Sequence, residues 1–488
     1  LSSLKSFFKD TVIYGIAAVL PRVISIAIVP VLTAVLAKDE FSDQTTWYVY
    51  AAFINVLLTL GMETAFFRFY TTEKNKENVL SSSFSLLIFS SLSFALIGTL
   101  LSKYFSPSLG FSDPLFIQIL VWTTALDTLV VIPFALLRVS NRPIKFMVIK
   151  LLNVLIYFLL TSFFLLLLPK YAVSNNELLH NFGINIPYKP SVFHIIISNL
   201  FASFITFLLL APEIFKIKWS LDKELIHRML RYSMPIMIGG IAYAINENID
   251  KLIIQKLMDK ESNGVYAACY KLGVFMTLYI TAFRMGAEPF FFNQAASADA
   301  KQKYSKIMTW FVILGCLFMV FVVGFLDIFA SLFIRKDEYL PGLVIVPVIL
   351  LANLFSGIYN NLAIWYKLTD KTKFGMYISI LGALLTVVFL LIFVPMFGIM
   401  GGAWATLLTY VTMASLSYYL GRKYYPVDYE INKLVFYIVI SAGLCYVSFV
   451  LFRENYYVSI ANVIILLSAV FFMEIGRMSN IKTFLKGK

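Results

Sequence analysis

Apolar runs long enough to cross a bilayer as helix recur along almost the whole chain, and no other feature restricts its fold as much. A helix rises about 1.5 Å per residue, so roughly 20 residues traverse a hydrocarbon core of about 30 Å. Fourteen such runs can be placed, near 9–37, 45–69, 79–102, 115–139, 144–169, 192–212, 232–258, 262–288, 304–334, 341–366, 374–396, 399–421, 434–452 and 457–476. Stretches such as FLLTSFFLLLL and ISILGALLTVVFLLIFV are continuous rather than alternating, which excludes a lipid-facing β-barrel. A content of 60% hydrophobic and 14% charged residues in 488 is unsuited to a water-soluble surface of this size. The expected class is therefore an all-α integral membrane protein with about 14 transmembrane helices. The first run has no short apolar region followed by a small-residue cleavage site, so it is expected to be a retained helix.

Lysine and arginine resist transfer across the membrane and collect in cytoplasmic loops. Most of the 40 basic residues fall on the side of the N-terminus, among them the cluster Lys216, Lys218, Lys223, Arg228 and Arg231, which predicts both termini inside. The net charge of +13 is dispersed over short loops without a reader motif, so topology and anionic headgroups account for it and nucleic acid does not. Cys269, Cys316 and Cys445 all lie in apolar runs and lack metal-ligand spacing, so they read as packing residues.

The longest loop within the array, about 170–191, is expected outside, and the basic loop 213–231 follows it. The stretch KLMDKESNGVYAACYKLGVF is loosely similar to VLAKDEFSDQTTWYVYAAFI near the start. Each crosses from one span through a charged loop into a Tyr-containing span. A repeat of six spans would relate two lobes by a pseudo-two-fold axis along the membrane normal and enclose a central substrate site. The expected organisation is a six-helix lobe at 1–212, a basic linker at 213–231, a second six-helix lobe at 232–421, and two extra helices with a cytoplasmic tail at 422–488.

Several ionisable and polar residues lie inside otherwise apolar spans. Tyr243, Asn246, Glu247, Asp250 and Lys251 fall within an arc of roughly 140° on a helix, opposite Ile245, Ile249 and Leu252. That arc would face a wet cavity or neighbouring helices, unless Glu247 and Lys251 merely neutralise each other at i, i+4. In span eight Tyr266, Tyr270, Thr277, Thr281, Arg284 and Glu288 lie within about 60° of one another with Lys271 beside them, and Arg284 with Glu288 reads equally well as a salt bridge. Arg22 follows Pro21 in span one and is expected to serve a cavity, with snorkelling or pairing with Asp127 of span four as the alternatives; Asp127 sits beside Thr123, Thr124 and Thr128. Glu63 and Arg68 read as a structural pair. Asn353, Tyr359, Asn360, Asn361 and Trp365 in span ten suit sugar, or serve as interhelical hydrogen bonds and an interfacial aromatic. A surplus of cations lined by Tyr, Asn and Thr fits an anionic, polar headgroup.

The stretch SMPIMIGGIAYAINENIDKLIIQKLMDKESNGVYAACYKLGVFMTLYITAFRMGAEPFF resembles the span seven to eight signature of polysaccharide and O-antigen (Wzx-type) flippases in the multidrug/oligosaccharidyl-lipid/polysaccharide (MOP) exporter superfamily. The matching positions are Pro235, Asn246, Asp250, Lys251, Gly264, Tyr266 and Pro289. VPMFGIMGGAWATLLTY, with Pro395, Gly398, Gly401 and Gly402, and LGMETAFFRFY are similar in the same sense. Lys251 stands where an arginine is frequent, and the 170–191 loop is longer than usual.

The resemblance implies a multi-pass protein of the bacterial inner membrane, acting in polysaccharide or lipopolysaccharide biosynthesis. It would move an undecaprenyl-pyrophosphate-linked oligosaccharide to the outer leaflet by alternating access, without catalysis. On that reading Arg22, Lys251, Lys271 and Arg284 attract the pyrophosphate, while Tyr243, Asn246, Tyr266, Tyr270 and Asn360 meet sugar. Asp127, Glu247 and Asp250 hold a coupling proton or sodium ion, and no other cofactor or metal is implied. Partners would be membrane lipid and polysaccharide assembly proteins. The rivals are a multidrug or toxin extruder, a peptidoglycan lipid-precursor flippase and, more distantly, a membrane polymerase or glycosyltransferase. No HExxH, DxD or serine-histidine arrangement supports the last.

Overall fold

The computed structural model describes residues 19–170, 189–295 and 297–475. The start of the first span, most of the 170–191 loop and the tail from 476 lie outside the described residues. Helices occupy every expected position: α1 Val19–Val35, α2 Lys38–Thr72, α3 Lys76–Leu100, α4 Pro114–Val139, α5 Pro143–Lys170 and α6 Val192–Ile214 come first. Then follow α7 Lys223–Leu257, α8 Lys260–Gln294, α9 Ala300–Gly324, α10 Asp337–Leu368, α11 Lys373–Phe397, α12 Ile399–Tyr424, α13 Ile431–Leu451 and α14 Tyr456–Glu474. Twelve of them are long and apolar enough to cross a membrane. The described part of α1 is shorter, and α7 spends its length on charged and amide side chains as well as apolar ones.

The helices begin and bend where side-chain chemistry dictates. Asp222 caps α7 by accepting the Leu225 N–H at 3.0 Å, and Asn78 donates to its other oxygen at 2.8 Å. Those bonds hold its carboxyl below the usual carboxylate range. Midway along α2, Leu60 and Gly61 take left-handed backbone at φ 52° and 64°, and the helix bends there. A side chain on Gly61 would place Cβ 2.9 Å from the Ser233 carbonyl oxygen, so glycine is what lets α7 press against the bend.

By packing, the chain divides into two units. The first comprises Leu1–Ala268 with Ser379–Gly398, and its main core gathers Met62, Phe66, Leu87, Phe134, Leu137 and Met229. The second comprises Cys269–Ile378 with Ile399–Lys488, where Phe311, Met319, Leu350, Leu354 and Tyr410 are buried. Large apolar side chains such as Phe89, Leu100, Leu159, Leu384 and Val439 stay exposed, as lipid contact requires. With apolar groups on both sides of a helix, association rests on close packing and on interhelical hydrogen bonds.

One expected pairing is replaced. Glu63 bonds Arg138 at 2.8 Å, and Arg68 lies over the Tyr232 ring at 4.2 Å, because each side chain reaches a neighbouring helix more readily than a residue five positions along its own. Lys251 pairs with Asp250 at 2.8 Å and donates to the Glu247 carbonyl at 2.9 Å. The three cysteines are buried and unpaired with one another, as packing residues.

Candidate functional site

In the first unit, the C-terminal half of α7 carries a ladder of polar groups, each spent on a different neighbour. Asn246 accepts from Thr386 at 3.0 Å and donates to the Ser379 carbonyl at 3.3 Å, both on α11. One turn on, the Asp250 carboxylate pairs with Lys251 on one oxygen and accepts the Tyr266 hydroxyl on the other at 2.7 Å. Tyr266 is completely buried, and only 8% of the Lys251 side chain is exposed. The pair is neutral as a whole, which is the condition for burying two charges at this depth.

Further along, the Gln255 side-chain oxygen accepts from Ser42 at 3.3 Å, from Thr46 and from Asn263 at 3.4 Å. Asn263 also donates to the Ser42 hydroxyl at 2.7 Å. Around this knot sit two ion pairs with a reciprocal pattern. Lys38, the first residue of α2, reaches Glu261 in the first turn of α8 at 2.7 Å. Lys260, the first residue of α8, reaches Asp43 in α2 at 2.6 Å and the Gly110 carbonyl at 3.0 Å. The two helix starts touch so closely that a side chain on Gly264 would bring Cβ to 1.9 Å from the Lys38 carbonyl oxygen. Glycine is therefore demanded by close approach, which gives the Gly264–Tyr266 pairing of the motif a physical meaning: one residue admits α2 and the other ties α8 to Asp250.

The strength of this lattice suits a reversible contact. Interhelical hydrogen bonds in membranes contribute about 0.6 kcal/mol each, so the four bonds around Gln255 and Asn263 amount to about 2–3 kcal/mol. Two partly exposed ion pairs add about 0–1 kcal/mol each. A sum of a few kcal/mol is within what differential ligand binding can overturn.

A second polar centre of the first unit lies among α2, α4, α5 and α6. Half-buried Asp127 accepts from Ser203 at 2.7 Å and from Asn55, and the Lys150 ammonium is an opposing charge. Asn153 donates to Thr206 at 2.9 Å alongside. In the second unit, Glu288 is shared by Arg284 at 3.6 Å and Lys367 at 2.5 Å, and the Arg284 side chain is 61% exposed. That cluster carries one more cation than it has acids.

The sequence-predicted residues thus separate. Asn246 is spent on α11, while Asp250, Lys251 and Tyr266 form one buried set, all within the first unit. Tyr243 on α7 is 60% exposed, Arg22 on α1 is exposed, and Glu247 is half-buried. Tyr270, Lys271 and Asn360 are half-buried in the second unit, where Asn353 donates to the Gly273 carbonyl at 2.9 Å and Trp365 to Ser417 at 3.3 Å. Lys38, Asp43, Gln255, Lys260, Glu261 and Asn263 were not singled out from the sequence as site residues. Their signal is the repeat itself, since VLAKDEFSD and KLMDKESNG are the two segments that meet.

Residues 187–284 match the family of polysaccharide biosynthesis proteins, a span that includes all of α7 and the greater part of α8. An uncharacterised membrane protein of Methanocaldococcus jannaschii is 24% identical over 191 residues, which cover 38% of this chain and 43% of that relative. The structure is similar to the lipid II flippase MurJ in an inward closed conformation, with a TM-score of 0.73 at 14% identity over 95% of this chain and 99% of that one. It also resembles an inward-facing multidrug-resistance MATE-family transporter of the MOP superfamily, at 0.66 and 12% over 83% and 94%. A MOP-superfamily transporter from Pyrococcus furiosus, described as having a binding pocket of reversed polarity that suggests a different function, gives 0.58 and 13% over 85% and 95%. The chain therefore has the fold of the MOP-superfamily flippases and transporters, and the segment that builds its polar ladder is the one it shares with polysaccharide biosynthesis proteins.

Proposed function

We propose that the protein is a flippase for lipid-linked oligosaccharide, carrying polyprenyl-pyrophosphate-linked glycan units from the cytoplasmic to the outer leaflet by alternating access of two six-helix lobes. The observation that supports this reading is that residues 187–284, which carry the polar ladder with Lys260 and Glu261, match polysaccharide biosynthesis proteins, and that within the first unit these two side chains close a reciprocal polar latch on Asp43 and Lys38 of α2. A rearrangement of α8 against α2 within the first unit needs a contact that holds yet opens at a cost of a few kcal/mol. A polar contact meets that need, because water rehydrates its charges on opening, whereas an apolar core would not separate so cheaply.

On this reading Arg284 and Lys367 attract the pyrophosphate, with Arg22 and Lys271 contributing charge. Lys251 acts within the internal ladder, holding Asp250 in place for Tyr266. Asp127, with Ser203 and Asn55, is the place for a coupling proton or sodium ion. Both termini and the basic 213–231 loop lie in the cytoplasm, and the membrane is the bacterial inner membrane.

The test reconstitutes the chain in liposomes with a polyprenyl-pyrophosphate oligosaccharide and follows access of an external glycosidase. Exchange should be accelerated by the native chain. It should stop when Lys38→Cys and Glu261→Cys are oxidised to a disulfide, and resume on reduction. Absence of acceleration across several glycans and ion gradients would overturn the reading. The fold likeness to MATE transporters supports a second reading, extrusion of cationic drugs, which the same liposomes test with a fluorescent cation. Lipid-linked peptidoglycan precursor in the assay distinguishes the third.

A further inference from the structure

The connection between α6 and α7 has no place in the transport scheme, yet it is built in an unusual way. Its sequence, Phe215 to Leu221, reads FKIKWSL. Phe215 is 85% exposed and Trp219 75%, and Leu221, Lys216 and Lys218 are exposed with them. Three large apolar side chains on a seven-residue stretch of loop would be costly in bulk water. They lie directly after a membrane helix, where the surroundings are not bulk water.

Two observations fix how the segment is presented. It is pinned from behind: Ile217 is buried in the core of the first unit, and at its far end the Asp222 N–H donates to Ser82 while the Asp222 carboxylate accepts from Asn78. Its exposed face also continues a lipid-facing stripe. Phe201, Phe204 and Leu208 are exposed along α6, and Phe215 falls within about 60° of all three when the helix is extended. Apolar contact with the bilayer thus runs without interruption from α6 onto the loop. Of the segment's own cations, Lys218 bonds Glu77 at 2.8 Å and Lys216 is exposed. Both Lys218 and Glu77 are well exposed, so that pair is weak enough to exchange for another anion.

We infer that Phe215–Leu221 is an interfacial anchor for anionic phospholipid: Phe215, Trp219 and Leu221 enter the headgroup boundary, and Lys216 and Lys218 hold lipid phosphates above them. An amphipathic aromatic at headgroup depth and adjacent lysines are the two signals that surface attachment requires. The anchor sets the depth of the α6–α7 connection, and it stands independently of what the protein transports.

The emission of Trp219, isolated as the difference between the native chain and Trp219→Phe, provides the test in vesicles of phosphatidylcholine with or without phosphatidylglycerol. Each cation near an anionic surface is worth about fivefold in local anionic lipid. Brominated phosphatidylglycerol should therefore quench this component well above an equal amount of brominated phosphatidylcholine. In the K216Q/K218Q double variant the two lipids should quench equally, and K216R/K218R should restore the difference, which separates loss of charge from loss of fold. Equal quenching by both lipids in the native chain, or quenching by aqueous iodide in their place, would overturn the anchor.

Discussion

The Asp250–Lys251–Tyr266 network of the first unit and the Arg284–Glu288–Lys367 cluster of the second are made of the same kinds of residue on similar helix faces, yet they are physically different objects. In the first, one acid meets one base, the hydroxyl of Tyr266 completes the carboxylate, and all three are buried. In the second, one acid meets two bases and Arg284 stays mostly exposed. A balanced, buried set holds helices together; an unbalanced, exposed one has charge to offer a ligand. The difference teaches that the number of ionisable residues in a span says little about binding until their partners are counted.

The sharpest way to break this comparison is to unbalance the buried set. Asp250→Ala leaves Lys251 buried without its counter-charge, a change that costs about 3–5 kcal/mol. It should lower the thermal unfolding midpoint markedly in detergent, and adding Lys251→Met should recover most of the loss. Equal damage from the single and double variants would show that Asp250 serves something other than Lys251.

Next in size is Gly264→Ala, which forces the starts of α2 and α8 apart and costs roughly 1–3 kcal/mol through overpacking. Disulfide formation between Lys38→Cys and Glu261→Cys should slow in that background. If the cross-link forms as fast as before, Gly264 is not what brings the two helix starts together.

Arg284→Gln should do the opposite of Asp250→Ala. Removing a mostly exposed member of an ion pair changes stability by about 0–1 kcal/mol. Glycan exchange in liposomes should nonetheless fall about tenfold, the equivalent of about 1.4 kcal/mol of headgroup contact. Full activity in this variant would remove the second cluster from the substrate path.

The smallest effect belongs to the latch ion pairs. Lys260→Gln should cost well under about 1 kcal/mol in unfolding, while raising the fraction of chains whose Lys38→Cys is labelled by a water-soluble maleimide. Unchanged labelling would place the latch strength wholly in the Gln255 knot.

Much of the fold is legible in the chain because hydrocarbon is an undemanding solvent: continuous apolar runs of the right length can only be helices, and all fourteen positions are helical in the described residues. The polar ladder of α7 is legible as well, since Asn246, Asp250 and Lys251 stand out against Ile and Leu. What each of them touches is not. Helical periodicity fixes the direction of a side chain about its own axis and says nothing about which helix stands in that direction. Thus Lys251 pairs with Asp250, Glu63 finds Arg138, and Asn246 is completed by Thr386 from far along the chain. Lys38, Gln255 and Glu261 look in sequence like ordinary polar residues at helix ends. Only the tertiary structure, by pressing Gly264 against the Lys38 carbonyl, makes them parts of one contact. The sequence by itself determined that the chain crosses a membrane as helices and where its polar residues lie. The packing of helices distant in the chain decided which charges are cancelled and which are left to act, because pairing depends on distances that no single helix contains.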